Sequence, residues 1–131
     1  MGDDREVEYL DVEDLIALAT RLLGNPPPIR DAGLLGSAAA RPQTTIAGED
    51  AYPDIWQKAG ALLQSILKNH ALVDGNKRLG WLATAVFLEL NGVAATAASN
   101  EDVYAFVMDV AAEDRTLQEI AALLRRVLSG P

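Results

Sequence analysis

The sequence predicts an all-α domain: a compact helical bundle around a central buried helix, with one small extended flap. Three observations lead there. Half of the 131 residues are hydrophobic, chiefly Ala and Leu, while only 5% are aromatic. A sheet protein would favour β-branched and aromatic residues instead. Apolar residues recur three and four positions apart over long stretches, the period of a half-buried helix. These stretches are bracketed by residues that start and stop helices. The length suits one domain over residues 1–131.

Taken in order, residues 1–6 are charged, as a frayed terminus is. Residues 7–10 alternate weakly, fitting a short strand or an extended lead-in. Asp11 is a good N-cap for a helix over 12–23, with Leu15, Ile16, Leu18, Ala19, Leu22 and Leu23 as its apolar face and Gly24 as its stop. Asn25-Pro26-Pro27-Pro28 reads as a stiff turn. Asp31 caps a short helix to Ala40. Pro42 ends it, because the residue before a proline avoids the helical region. Residues 43–50, with Thr44, Thr45, Ile46 and Gly48, read as the extended flap and its turn.

A long helix follows to about Asn69, with Pro53 near its first turn and Ile55, Trp56, Ala59, Leu62, Leu63, Ile66 and Leu67 on one face. The stretch 77–90 is apolar on most sides, which predicts the buried central helix, closed by Asn91-Gly92. Trp56 and Trp81 sit at core spacing. Ser99 with Asp102, and Thr116 with Glu119, resemble capping boxes for helices to about Ala112 and over 117–128.

Composition narrows the function. The net charge is −8, with acid concentrated between Asp3 and Asp14, which argues against a nucleic-acid partner held by a general basic surface. Cysteine is absent, so thiolate and disulfide chemistry are excluded. The first residues carry no apolar leader and no myristoylation signal, and no apolar run has membrane-spanning length. The expectation is a cytoplasmic protein with no membrane partner.

Chemistry concentrates between two helices, at His70-Ala71-Leu72-Val73-Asp74-Gly75-Asn76-Lys77-Arg78. His70 is the sole histidine. The stretch reads as a loop ending on a helix N-terminus, where free N–H groups and the dipole favour an anion. Gly75 allows a sharp turn or close approach of a ligand, and Asn76 suits an N-cap. Lys77 and Arg78 place positive charge where the dipole opposes it, which suggests a phosphate between them. Lys68 adds to the local positive charge. Each residue also has a plainer reading. His70 suits a helix C-terminus, Asp74 a turn, Gly75 and Asn76 an ordinary helix start, and Lys77 with Arg78 a solvated pair.

The nine residues resemble the Fic/Doc family motif H-x-F-x-(D/E)-G-N-x-R, most closely its Doc branch, in which Lys follows Asn. Leu72 stands in the place of Phe, and Ala71 in that of a common Pro. Arg30-Asp31-Ala32-Gly33-Leu34-Leu35-Gly36-Ser37-Ala38 and Arg41-Pro42 are similar to the family's leading segment and flap. Phe87-Leu88-Glu89-Leu90-Asn91-Gly92 is similar to the end of its central helix. The resemblance implies a compact helical fold and transfer of a nucleotide-derived group to a protein hydroxyl. AMP-transferring members carry Gly after Asn and a second Arg three residues beyond the first. Lys77 and Trp81 hold those places here.

On the Doc side, the resemblance implies a toxin of a toxin–antitoxin pair. It would be a kinase that moves the γ-phosphate of ATP to a threonine of elongation factor Tu and arrests translation. A cognate antitoxin would silence it by laying a C-terminal helix in a groove. His70 would be the general base, a role suited to histidine near neutral pH. Asp74 would hold Mg²⁺. Gly75, Asn76 and the N–H of Lys77 would cradle phosphate, while Lys77 and Arg78 neutralise the transferring group. Leu72 would anchor the loop in the core. Thr44, Thr45 and Ile46 would offer a backbone edge to the target peptide, or form a plain surface loop. Two alternatives stay open: AMP transfer to a protein hydroxyl, and a degenerate, non-catalytic binding module.

Overall fold

Helix starts set the architecture. The computed structural model describes residues 6–129, so the frayed terminus expected at 1–6 lies, but for Glu6, outside them. Six α-helices run in order: α1 Val12–Leu23, α2 Ala32–Ala40, α3 Ile55–Asn69, α4 Asn76–Leu90, α5 Asn100–Ala112 and α6 Leu117–Ser129. Five begin on a side-chain cap, each worth about 1 kcal/mol. Asp11 and Asp14 form a reciprocal capping box at α1. Asp31 accepts from Leu34 N–H, and Asp54 from Gln57 N–H. Thr116 and Glu119 bond each other's backbone N–H at α6. The Ser99 cap of α5 makes only the forward bond, from Asp102 N–H at 3.1 Å. α4 alone begins with no side-chain cap.

The core gathers on α3, which packs against α2, α4, α5 and α6. Leu62, Leu63, Ile66 and Leu67 are buried along it. At Gly80 a Cβ would come within 3.2 Å of Leu63 and Leu67 side chains, so the missing side chain lets α4 lie close on α3. The expectation that α4 is covered on every side is corrected. Leu79, Ala83, Phe87 and Leu88 are buried, while Trp81, Leu82, Ala85 and Val86 are half-buried and Leu90 is exposed. A helix this apolar needs more cover than α5 provides on its outer side.

Two further expectations change. Residues 7–10 form no strand. Both backbone groups of Glu8 are instead taken by the Asn91 side chain, each at 2.9 Å, which sews the lead-in to the end of α4. Pro42 does not push its predecessor out of the helical region. Arg41 stays helical (φ −58°, ψ −41°) and the chain runs on through a 3-10 turn, Arg41–Gln43. The reason lies in the side chain. Arg41 bonds Tyr52 Oη, Gln64 Oε1 and Ser65 Oγ, which offsets the local preference.

The flap is a hairpin of β1 Thr45–Ile46 and β2 Glu49–Asp50, with Thr45 opposite Asp50 and Ile46 opposite Glu49. Its turn residues, Ala47 and Gly48, both have positive φ, as a tight hairpin requires. Lys58 of α3, only 2% exposed, fastens the returning strand. Its Nζ donates to Asp50 Oδ2 at 3.0 Å and to Tyr52 O at 2.7 Å. Between α5 and α6, Arg115 forks onto Asp109 at 2.9 and 3.0 Å. That hydrogen bond, reinforced by the guanidinium charge, holds the Asp109 carboxyl below its ordinary range against a smaller effect of burial, and Arg115 is raised in turn.

Candidate active site

The loop between α3 and α4 carries the candidate site residues, and non-local bonds hold it in place. After the three prolines at 26–28 the chain turns tightly, Ile29 N–H donating to Pro27 O at 2.8 Å, and then pairs with the loop. Ile29 bridges Leu72 in antiparallel fashion. Val73 N–H donates to Pro28 O at 2.8 Å, and Ala71 O accepts from both Arg30 N–H and Asp31 N–H at 2.8 and 3.0 Å. Ala71 and Leu72 are each 2% exposed, so the loop is anchored in the core as expected of Leu72. The turn read at 25–28 therefore leads into a segment that braces the loop from behind.

His70 is the C-cap of α3 and adopts the left-handed conformation, φ 52° and ψ 48°. A non-glycine residue held there costs roughly 1–3 kcal/mol unless its surroundings fix it. Its carbonyl oxygen accepts two bonds from Arg30, from Nε at 3.1 Å and from Nη2. Asn69 Nδ2 meanwhile donates to Leu34 O at 3.2 Å. The imidazole is left exposed on the groove side.

Asn76 corrects the sequence reading. It is the first residue of α4 and not its cap; the cap position belongs to Gly75, at φ 90°. The Asn76 amide turns back on the loop. Its Oδ1 accepts Leu72 N–H and its Nδ2 donates to Leu72 O, both at 3.0 Å. Gly75 makes the sharp turn expected of it, at positive φ. What approaches it closely is α1: a Cβ there would lie 2.7 Å from both Leu23 methyl carbons. Asp74 Oδ1 accepts Gly75 N–H at 2.9 Å. With no side-chain cap on α4, the first N–H groups of the helix stay available to an anion.

Lys77 and Arg78 flank those N–H groups and both are exposed. Arg78 Nη2 also donates to Leu22 O, at the end of α1, at 3.3 Å. Lys68 lies elsewhere. Its Nζ donates to Ala111 O and Glu113 O, so its charge serves the C-terminus of α5 and not the loop.

One groove of about 1130 Å³ gathers the site. His70, Asp74, Gly75, Asn76, Lys77 and Arg78 all line it, whereas Thr44, Thr45 and Ile46 do not. Its far wall comes from Trp81 and Leu82 of α4 and from Tyr104 and Met108 of α5. Trp81, expected as core, is half-buried and meets Phe106 edge-on at 6.3 Å. The α5 wall was missed from sequence. Its signal was Asn100, Tyr104 and Met108, four residues apart beside the buried Val107. The groove is thus cationic at the loop and apolar or aromatic beyond it. That contrast suits a ligand with a phosphate at one end.

Among the described residues no group of three or more His, Asp or Glu side chains could hold a metal by itself. Asp74 offers one exposed carboxylate beside the free N–H groups. That donor fits a hard cation such as Mg²⁺, which is usually held by one or two carboxylates together with substrate phosphates.

The Fic/DOC family model matches residues 9–88, a span that includes α3, the loop and all of α4 but its last two residues. The chain is also similar to Toxin Doc of Mycolicibacterium smegmatis. The two are 50% identical over 118 residues, covering 89% of this chain and 91% of the relative. No helix among the described residues is long and apolar enough to cross a membrane.

Proposed function

The chain belongs to the Fic/Doc family, and from that premise we propose that it is a Doc-like toxin of a toxin–antitoxin pair, a protein kinase that moves the γ-phosphoryl group of ATP to a threonine of elongation factor Tu. One observation carries the reading: His70, Asp74, Lys77 and Arg78 line a single groove at the one helix start without a side-chain cap.

The chemistry follows from those positions. His70, exposed on the groove, takes the proton of the threonine hydroxyl as its oxygen bonds the γ-phosphorus. The bond from phosphorus to the β,γ-bridging oxygen breaks, and ADP leaves. A positioned base of this kind contributes typically 10²- to 10⁴-fold. The first N–H groups of α4, with Lys77 and Arg78, stabilise the charge on the transferring group, the larger part of catalysis in phosphoryl transfer. Asp74 would hold Mg²⁺, which neutralises phosphate charge when bound. Lys77 and Trp81, where AMP-transferring relatives carry Gly and Arg, favour transfer of the γ-phosphate. The hairpin edge at Thr44, Thr45 and Ile46 would receive the target peptide. Ile46 is 70% exposed there, consistent with a surface awaiting a partner. A cognate antitoxin, laying a C-terminal helix in a groove, would restrain the toxin in the cytoplasm.

The test supplies the purified chain with Mg²⁺, elongation factor Tu and ATP labelled at the α- or the γ-phosphate. Label on the target from the γ-position only, lost in His70→Ala, is the expected result. Label from the α-position would mean AMP transfer. No label from either, with normal growth on forced expression, would mean a binding module.

A further inference from the structure

The side chain of Arg30 lies outside the nine-residue motif, yet it reaches the residue on which the proposed chemistry depends. Two N–H groups of its guanidinium, at Nε and Nη2, converge on the carbonyl oxygen of His70. That carbonyl follows the left-handed backbone of His70, so its direction and the position of the imidazole are set by the same φ and ψ. The neighbouring peptide is also held from the same short segment, through Arg30 N–H and Asp31 N–H on Ala71 O. The backbone of residue 30 thus fixes the peptide after Ala71 and its side chain fixes the one before it, after His70.

We infer that Arg30 is a positioning residue that locks His70 in its left-handed conformation and so aims the imidazole into the groove. The inference rests on the reading of His70 as the base for its kinetic consequence, but its structural content stands apart from that reading. A fork is needed because two donors on one oxygen restrain the rotation of that peptide, while one donor leaves it free to swing. Lysine supplies a point charge on a flexible stem and lacks the planar fork. The competing account is that a cation near the end of α3 merely complements the helix dipole. Lysine would satisfy that account and not ours.

Arg30 is exposed, so substitution leaves the core untouched. The experiment compares Arg30→Lys and Arg30→Met with the parent chain by two measurements. The first is NMR. With one histidine in the sequence, the imidazole proton resonances have a single source. The amide-to-α-proton coupling of His70 reports its φ directly. The second is steady-state phosphorylation of the target. We expect both variants to shift or broaden the imidazole resonances and to change the coupling. We expect kcat to fall by about tenfold to a hundredfold, the range a small misplacement of a reacting group produces. KM for ATP should stay within about twofold, because the phosphate-binding groups are unchanged. An unchanged coupling and unshifted imidazole in Arg30→Lys would overturn the inference, whatever the activity. A rise in KM with kcat intact would overturn it as well. If the parent chain transfers no phosphate, the function proposed above fails, and the NMR measurement alone decides the role of Arg30.

Discussion

Replacing Asn76 with Ala tests whether this residue serves the loop or the phosphate. Its amide makes two hydrogen bonds to one residue, accepting Leu72 N–H and donating to Leu72 O, both at 3.0 Å. Each is worth about 1 kcal/mol net. Leu72 is 2% exposed, so little water can reach its N–H once the partner is gone, and the loss approaches the upper part of a range of about 2–3 kcal/mol. For a domain of this size that corresponds to a fall in Tm of roughly 6–12 °C. Urea unfolding should show a lower midpoint with an unchanged slope, since the surface exposed on unfolding is the same. Asn76→Asp separates the two bonds. Its carboxylate can still accept Leu72 N–H but repels Leu72 O, while its negative charge favours the α4 N-terminus. It should fall between the parent and Asn76→Ala. An Asn76→Ala variant that melts with the parent yet binds ATP far more weakly would refute the reasoning and return Asn76 to the phosphate.

Gly75→Ala should lower stability by about 1–3 kcal/mol, because the residue holds φ 90° and the added Cβ meets Leu23 at 2.7 Å; a calorimetric scan indistinguishable from the parent's would contradict this. Lys58→Met keeps the bulk and removes a buried charge whose partner, Asp50, has a side chain 52% exposed and can return to water. Tm should move by only a few degrees, on the order of 3 °C, since desolvation and attraction nearly cancel. Backbone exchange in the hairpin should rise about tenfold, the loss of one hydrogen bond to its returning strand. Unchanged exchange would mean that Lys58 does not fasten the flap. Arg115 holds the Asp109 carboxyl low, so the unfolded chain binds that proton more readily. The resulting stability is complete above the ordinary aspartate range near pH 4 and is lost as pH falls through the lowered folded value. Asp109→Asn should therefore flatten the acid limb of Tm against pH, and an identical limb would count against the pairing. Lys77→Gly should move label transfer from the γ- toward the α-phosphate or abolish it; undiminished γ-transfer would show that Lys77 does not choose the reaction.

Helix boundaries were legible because their signals are local. Asp11, Asp31, Ser99 and Thr116 each announce a start within three residues, and each caps its helix. The motif residues were legible as a run, and the fold brings seven of the nine to one groove while Ala71 and Leu72 anchor the run in the core. What sequence missed depends on distant partners. Asn76 looks like a cap until the buried peptide of Leu72 is placed beside it. Arg41 keeps its helical backbone before Pro42 because Gln64 and Ser65 receive its side chain from α3. Arg30 gives no local sign of its reach, since its target lies 40 residues on. The exposed side of α4 was misread because apolar periodicity reports what a helix could bury and not what is present to cover it.

That 40-residue reach bears on how the loop keeps its shape. α3 and α4 can pair as a local helical hairpin, with Asn76 holding Leu72, but their connecting loop is completed when the segment around Pro28 and Arg30 docks on it. Closing a loop of that length costs about 3 kcal/mol of chain entropy. The bundle can therefore be largely assembled while the loop is still incomplete, and a brief detachment of residues 28–31 would dissolve the site without unfolding the core. The amide protons of Arg30, Asp31 and Val73, all bonded across this seam, would report each opening of it by hydrogen exchange.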